Sequence, residues 1–261
     1  MKKLEWSTTL EVTVQRVKEV GKWMLAQRVA VDEIEIKTPN NLVSFVDKES
    51  ERKLVEAFKQ IFPEAGFIAE EGTGKRAAEW NWVIDPLDGT TNFLHGVPIW
   101  CISVALCQNQ DPVLAVIYDP NKDELFTAVR GQGAFLNGQP MKVSSQSVLR
   151  DSLLVTGFPY DDFGREEAYI GLFRHLMKET RGIRRLGSAA LDLAWVACGR
   201  FEAFYEYGLN PWDVAAGCLL VQEAGGQVTG FYQGHPVFEE DILASNGKVH
   251  SELKERIQRF F

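Results

Sequence analysis

Trp82-Val83-Ile84-Asp85-Pro86-Leu87-Asp88-Gly89-Thr90-Thr91-Asn92 is the most informative stretch of this 261-residue chain. An apolar run ends in two aspartates three residues apart, and a glycine and two threonines follow at once. The pattern predicts a strand that runs out into a polar loop. Pro86 stiffens a turn between the carboxylates, so that both point into one site. Hard oxygen donors at this spacing suit Mg²⁺, which prefers a few carboxylates, waters and substrate phosphate. Gly89 lets the backbone approach a ligand closely. The N–H groups and hydroxyls of Thr90 and Thr91 then hold phosphate oxygens, most readily where a short helix starts. An Asp-Pro pair alone is more often a surface turn with an Asx or threonine cap. The whole run, with its carboxylates, glycine and two hydroxyls, favours a ligand site.

Upstream, Leu10, Val14, Val17, Met24 and Leu25 recur at helical spacing and predict an amphipathic helix from Thr9 to Ala30. A polar turn at Pro39, Asn40 and Asn41 follows. A second helix is expected from Lys48 to Phe62, burying Leu54, Val55, Phe58 and Ile61, with Asp47 at its mouth as a possible cap. From Gly66 the pattern changes to short apolar runs: Gly66–Ala69, Trp80–Ile84, Ile99–Leu106, Val113–Tyr118 and Leu125–Val129 read as strands. Asn137-Gly138 marks a hairpin, because both residues tolerate positive φ. After Ser152 the chain alternates: strand Leu153–Thr156, helix Glu166–Lys178, strand Ile183–Leu186, helix Ala189–Cys198, strand Ala203–Tyr207, helix Pro211–Ala224 and a closing helix Val249–Phe260. The reading is α+β, or mixed α/β, with sheet layers covered by helices. No linker divides the chain; the expected halves are residues 1–150, carrying the aspartate loop, and 151–261, carrying Asp213 and a substrate wall.

Composition is that of an ordinary globular protein, 45% hydrophobic and 25% charged. The net charge of −8 gives no sequence-wide basic field, so neither nucleic acid nor an anionic membrane is an expected partner. An acidic protein that handles phosphates must neutralise them locally, and metal ions on carboxylates do that. The start of the chain has no signal-peptide core, and no run of about eighteen apolar residues proposes a membrane span. Cys101, Cys107, Cys198 and Cys218 sit in apolar stretches without a CxxC pair, as buried reduced thiols do. A cytoplasmic location is expected. His95, His175, His235 and His250 show no ligand-like spacing.

Asp85-Pro86-Leu87-Asp88-Gly89-Thr90-Thr91-Asn92-Phe93 resembles the first signature of the inositol monophosphatase family. Trp212-Asp213-Val214-Ala215-Ala216-Gly217, with Glu223-Ala224-Gly225-Gly226 behind it, resembles the second. Ile68-Ala69-Glu70-Glu71-Gly72 resembles the acidic strand end before the first signature, and Leu42-Val43-Ser44 leading to Asp47 the family's N-terminal segment. The matches fall in family order over nearly the whole chain. The resemblance implies a layered αβαβα sandwich of the sugar-phosphatase type, a homodimer, sensitivity to Li⁺, and metal-assisted in-line attack of water on the phosphorus of a small phosphate monoester.

It also implies roles. Asp85 bridges two Mg²⁺ ions; Glu70 and the Leu87 carbonyl complete the first site, Asp88 and Asp213 the second. One ion lowers the pKa of the attacking water and the other stabilises the leaving oxygen. Asp47 and Thr90, with Glu70 beside them, orient or deprotonate the water. Gly89, Thr90 and Thr91 grip the phosphate. Gly187, Ser188 and Ala189 form a second pocket wall, and Glu206, at the position that holds a ring hydroxyl in the family, faces the alcohol. The plainer readings are a helix cap for Asp47, a dipole partner for Asp213 and a solvated neighbour of Glu70 for Glu71. Inositol monophosphate is the expected substrate. Fructose 1,6-bisphosphate, adenosine 3′,5′-bisphosphate and histidinol phosphate are alternatives, the bisphosphates requiring a cationic pocket from Arg184, Arg185 and Lys178. A binding role in transcription or RNA processing is the alternative of another class.

Overall fold

A computed structural model describes residues 6–27, 35–38, 41–159, 163–232, 235 and 237–261. Two mixed sheets are stacked between helices. The larger has seven strands: β3 (Gly66–Ala69), β4 (Trp80–Asp88), β5 (Cys101–Gln108), β6 (Asp111–Asp119), β7 (Glu124–Val129), β8 (Ala134–Leu136) and β9 (Gln139–Pro140). β3 pairs parallel to β4, and the rest form an antiparallel meander. The smaller sheet has the order β11 (Gly182–Arg184), β10 (Leu153–Thr156), β12 (Ala203–Tyr207), β14 (Asp241–Ser245) and β13 (Gln227–Thr229). β10 runs parallel to both its neighbours, whereas β14 is antiparallel to β12 and β13. A separate short pair joins β1 (Glu35–Thr38) to β2 (Asn41–Val43).

Strand alternation builds the layers. In β5, Ile102, Val104 and Leu106 face α1 (Trp6–Leu25) and α2 (Phe45–Ile61), while Cys101, Ala105 and Cys107 face α5 (Ala189–Ala197) and α6 (Pro211–Glu223). The other side of α5 and α6 meets Phe204 of β12 and Ala244 of β14. Tyr205, Tyr207 and Leu243 point outward, into a third core under α4 (Glu166–Glu179) and α7 (His250–Ile257). The sequence α1/α2, sheet, α5/α6, sheet, α4/α7 is the αβαβα sandwich. Helices α5 and α6 are buried on both sides, which explains their nearly unbroken apolar sequence.

Several expectations shift in detail. Helix α1 buries Thr9, Thr13, Val17, Val20, Gly21 and Met24, a face rotated from the one the apolar spacing suggests. The threonines can be inside because Thr13 Oγ1 donates to the Thr9 carbonyl at 2.7 Å, while Leu25 is 41% exposed. The expected helix end at Ala30 and the turn at Pro39 and Asn40 lie outside the described residues. Helix α2 begins three residues early: Ser44 is the cap, and Asp47 takes the third helical position of a reciprocal capping box. Strands β13 and β14 were not expected at all. The Asn137-Gly138 hairpin is present, with φ of 49° and 75° as a two-residue turn of the primed kind requires. Among the described residues no helix is long and apolar enough to cross a membrane.

His250 ties α7 to the smaller sheet, with Nδ1 at 2.8 Å from Ser245 Oγ and Nε2 at 3.1 Å from Thr229 Oγ1. Burial first, then the nearby Lys254 charge, depresses its pKa from 6.5 to about 4. Between those values the unfolded chain binds the extra proton, so stability falls as the pH drops from 6.5 towards 4, by at most ~1.4 kcal/mol per pH unit from this group. In urea melts, the stability advantage of the wild type over His250→Asn should therefore be largest at pH 7 and narrow by pH 4.5. An advantage that does not change with pH rules this out.

Candidate active site

Strand β4 delivers the two aspartates through a bulge. Asp85 pairs with Ser103 and Asp88 with Cys101, so three steps along β4 match two along β5. In a regular strand, residues three apart face opposite sides of the sheet. The extra residue restores parity: Asp85 and Asp88 both face the α5/α6 layer, while Leu87 turns into the core beneath α1 and α2. The expected turn at Pro86 is thus a bulge inside a continuous strand, and a proline, having no N–H to offer the ladder, is suited to it. Asp85 Oδ1 accepts the Leu87 N–H at 3.0 Å, which holds its carboxylate over the bulge.

Gly89 follows with φ of 96° and opens α3 (Thr90–Leu94). A Cβ here would come within 2.9 Å of the Ile99 carbonyl and 3.2 Å of that of Gly187, so the glycine permits close packing of the protein on itself. Asn92 Nδ2 stitches the same junction, donating to Ile99 O at 2.7 Å and Leu186 O at 2.9 Å. Thr90 Oγ1 lies 2.8 Å from Asp47 Oδ1 and 3.0 Å from the Leu87 carbonyl. Asp47 Oδ2 accepts from Ser44 N at 2.9 Å and Ser44 Oγ at 2.7 Å. Asp47 is therefore both a capping-box member and the partner of Thr90. One helical turn on, buried Glu51 accepts the N–H groups of Glu71 and Thr73, each at 2.7 Å, and so fixes the strand end that carries Glu70.

The opposite wall comes from the second half of the chain. Ser188 stands at the N-cap position of α5, but its Oγ donates to Asp88 Oδ2 at 2.5 Å, and that oxygen also accepts the Ala190 N–H at 2.8 Å. Asp88 thereby holds the start of α5 against the aspartate loop. Asp213 occupies the third position of α6 and accepts the Asn210 N–H at 2.6 Å. Glu206, two residues after Phe204 in β12, faces the same layer, and its carboxyl lies so close to Gly157 that a Cβ there would meet it at 2.1 Å.

These groups surround one cleft of about 300 Å³. Glu70, Asp85, Leu87, Asp88, Gly89, Thr90 and Thr91 line one side; Gly187, Ser188, Ala189, Glu206 and Asp213 line the other. Asp47 sits behind Thr90. Of the three cations weighed from the sequence, Arg185 alone lines the cleft, whereas Arg184 and Lys178 are exposed elsewhere. Glu71 is half-buried and not part of the lining.

Charge is crowded here. Burial pushes Asp85 well above the usual carboxylate range, and Glu70, Asp88 and Asp213 push it further. Burial also raises Asp88, against the hydrogen bonds from Ser188 and Ala190, and raises Asp213 to about 7. Asp47 is raised by burial, with its bonds to Ser44 and Thr90 opposing. Among the described residues, no three acidic, His or Cys side chains form a ready-made metal cage. The donor set nevertheless fits a hard divalent cation: oxygen only, mutually repelling, and held by hydrogen bonds from the fold.

Sequence reading missed Asp192, Gly157 and Glu51, and it placed Asn92 in the motif without a role. Asp192 had a signal, since it is the one charged residue in the apolar helix Ala189–Ala197. Glu51 is four residues from Asp47 and shares its helix face. Gly157 and Asn92 act through packing between distant segments, which local patterns do not report.

The inositol monophosphatase family model matches residues 5–260. The inositol-1-monophosphatase of Rhizobium meliloti (strain 1021) is 43% identical over 258 residues, covering 97% of each chain. The Nus factor SuhB of Pseudomonas aeruginosa is 42% identical over 261 residues, covering 95% of each. The solved inositol monophosphatase of Anabaena (Nostoc) sp. PCC 7120 superimposes with a TM-score of 0.87 at 40% identity, over 98% of this chain and 97% of the other.

Proposed function

The chain belongs to the inositol monophosphatase family and is a phosphoric monoester hydrolase; from that premise we propose that it uses Mg²⁺ to convert myo-inositol monophosphate to inositol and phosphate. The observation that carries the metal-assisted reading is the convergence of Glu70, Asp85, Asp88 and Asp213 on the one cleft that also holds Glu206. Glu70, Asp85, the Leu87 carbonyl, Asp88 and Asp213 would hold the ions, which would supply charge neutralisation and acidify water. Thr90 Oγ1 donates a hydrogen bond to Asp47 Oδ1, leaving a lone pair to accept a hydrogen bond from the attacking water. Asp47 Oδ1 then receives the proton through Thr90, a task its raised pKa favours. Gly89 and Thr91 join Thr90 in gripping the phosphate through the N-terminal N–H groups of α3. Gly187, Ser188, Ala189 and Glu206 face the alcohol.

Among the described residues a single cation, Arg185, lines the cleft beside Glu206 and Asp192, which favours a polyol over a bisphosphate. Phosphate release from inositol 1-phosphate, fructose 1,6-bisphosphate, adenosine bisphosphate and histidinol phosphate, each with Mg²⁺, tests this; preference for any of the last three overturns the substrate. Glu206→Gln should raise KM for inositol phosphate about tenfold to a hundredfold more than for p-nitrophenyl phosphate, through loss of a charge-assisted hydrogen bond. Equal effects on both substrates would remove Glu206 from alcohol recognition.

Four free cysteines, three of them buried, support a cytoplasmic setting, and by family we take the working form to be a Li⁺-sensitive homodimer. A second reading, a role in transcription, draws on the name Nus factor borne by the P. aeruginosa relative. Co-purification with the transcription machinery that survives in an inactive variant would support it.

A further inference from the structure

We propose that Asp192 is a second specificity-determining residue of the alcohol pocket, holding with Glu206 two neighbouring hydroxyls of a polyol phosphate. The inference rests on the phosphatase reading above and goes beyond it to the pattern of hydroxyls recognised. Asp192 stands one helical turn after Ser188, whose carbonyl accepts its N–H at 3.0 Å, so both side chains share the cleft face of α5. The residue is 1% exposed, yet Oδ1 has no hydrogen-bond partner among the described residues. A buried carboxyl oxygen left unpaired costs stability, and the helix around it is otherwise apolar. A ligand hydroxyl entering the cleft would supply the missing partner.

The surroundings narrow the ligand. Glu206 lies in the same wall, seated against the bare backbone of Gly157. Arg185 is the cation that faces the pair, and its charge favours the ionised form of both. Burial opposes it and pushes both carboxyls well above their ordinary range, with Glu206 further raising Asp192. A carboxyl that burial keeps protonated can donate a hydrogen bond as well as accept one. A hydroxyl both donates and accepts and so matches either form, whereas a second phosphate would meet repulsion. Vicinal hydroxyls can engage both acids at once.

The test compares inositol 1-phosphate with cyclohexyl phosphate, which keeps the ring and lacks the hydroxyls, using the full-length wild type, Asp192→Ala and Asp192→Asn with Mg²⁺. Asp192→Ala should lower the ratio of kcat/KM for inositol phosphate over cyclohexyl phosphate about tenfold or more, mainly through KM. Asp192→Asn, which keeps a donor and an acceptor, should recover part of the ratio. Parallel losses on both substrates, or an unchanged ratio, would assign Asp192 to packing and overturn the proposal. A wild type that hydrolyses neither substrate would overturn the phosphatase reading along with it. Failure of this inference alone would appear as an active wild type whose selectivity the substitutions leave intact.

Discussion

Asp213→Asn and Asp88→Asn each lower kcat on inositol 1-phosphate at least about 100-fold at saturating Mg²⁺, the expected loss of a few kcal/mol of transition-state charge stabilisation. The amide is nearly isosteric, and its oxygen can keep the bond that anchors each side chain: Asn210 N–H for Asp213, and Ser188 Oγ and Ala190 N–H for Asp88. What the cleft loses is charge. Stability should move the other way for Asp213. Its carboxyl titrates at about 7 in the fold, against an ordinary value of 3.8. The folded protein therefore holds a proton the unfolded chain has released, and this contribution, complete below 3.8, is lost as the pH rises through 7. In metal-free buffer at pH 8, Asp213→Asn should accordingly melt no lower than the wild type. Turnover within about threefold of wild type in either variant would take that residue out of the metal site.

EDTA should abolish activity and Mg²⁺ restore it, since every inferred donor is an oxygen of a hard-cation site. Mg²⁺ should also raise the melting temperature, by about 5–10 °C at a hundredfold excess over its dissociation constant. The shift should be clear at pH 8 and largely gone at pH 5.5. Protons compete for the same carboxylates, and Asp47, Asp85, Asp88 and Asp213 all have raised pKa values. Full turnover in EDTA, or a thermal shift as large at pH 5.5 as at pH 8, defeats the metal-assisted mechanism.

Much of this arrangement is legible in the amino-acid order, for local reasons. The strand before Asp85, the hairpin at Asn137-Gly138 and the helix opened by Pro211 are each written in a short run of residues whose backbone preferences agree. The parity-restoring bulge is not, because it depends on how β4 registers with β5. Strand β14, an interior strand of the smaller sheet, is not legible locally, because Ile242-Leu243-Ala244 is too short a run to stand out; its place follows from pairing with β12 and β13. Asp192 was hidden for the converse reason: a strong helical pattern drew attention from its one discordant member. The capping position of Asp47 is legible locally, whereas its bond to Thr90, 43 residues away, depends on the tertiary fold.

The doubly buried helices α5 and α6 have a consequence for synthesis on the ribosome. The inner face of the larger sheet, with Ala105, Cys107, Ala115, Ile117, Phe126 and Ala134, is complete once β9 has emerged, but its cover lies in residues 189–223. At roughly 5–20 residues per second, that apolar surface waits several seconds for its lid. The nascent chain in this interval is a natural client for a holding chaperone, and a message truncated before residue 189 would yield a sheet with one face uncovered and prone to aggregate.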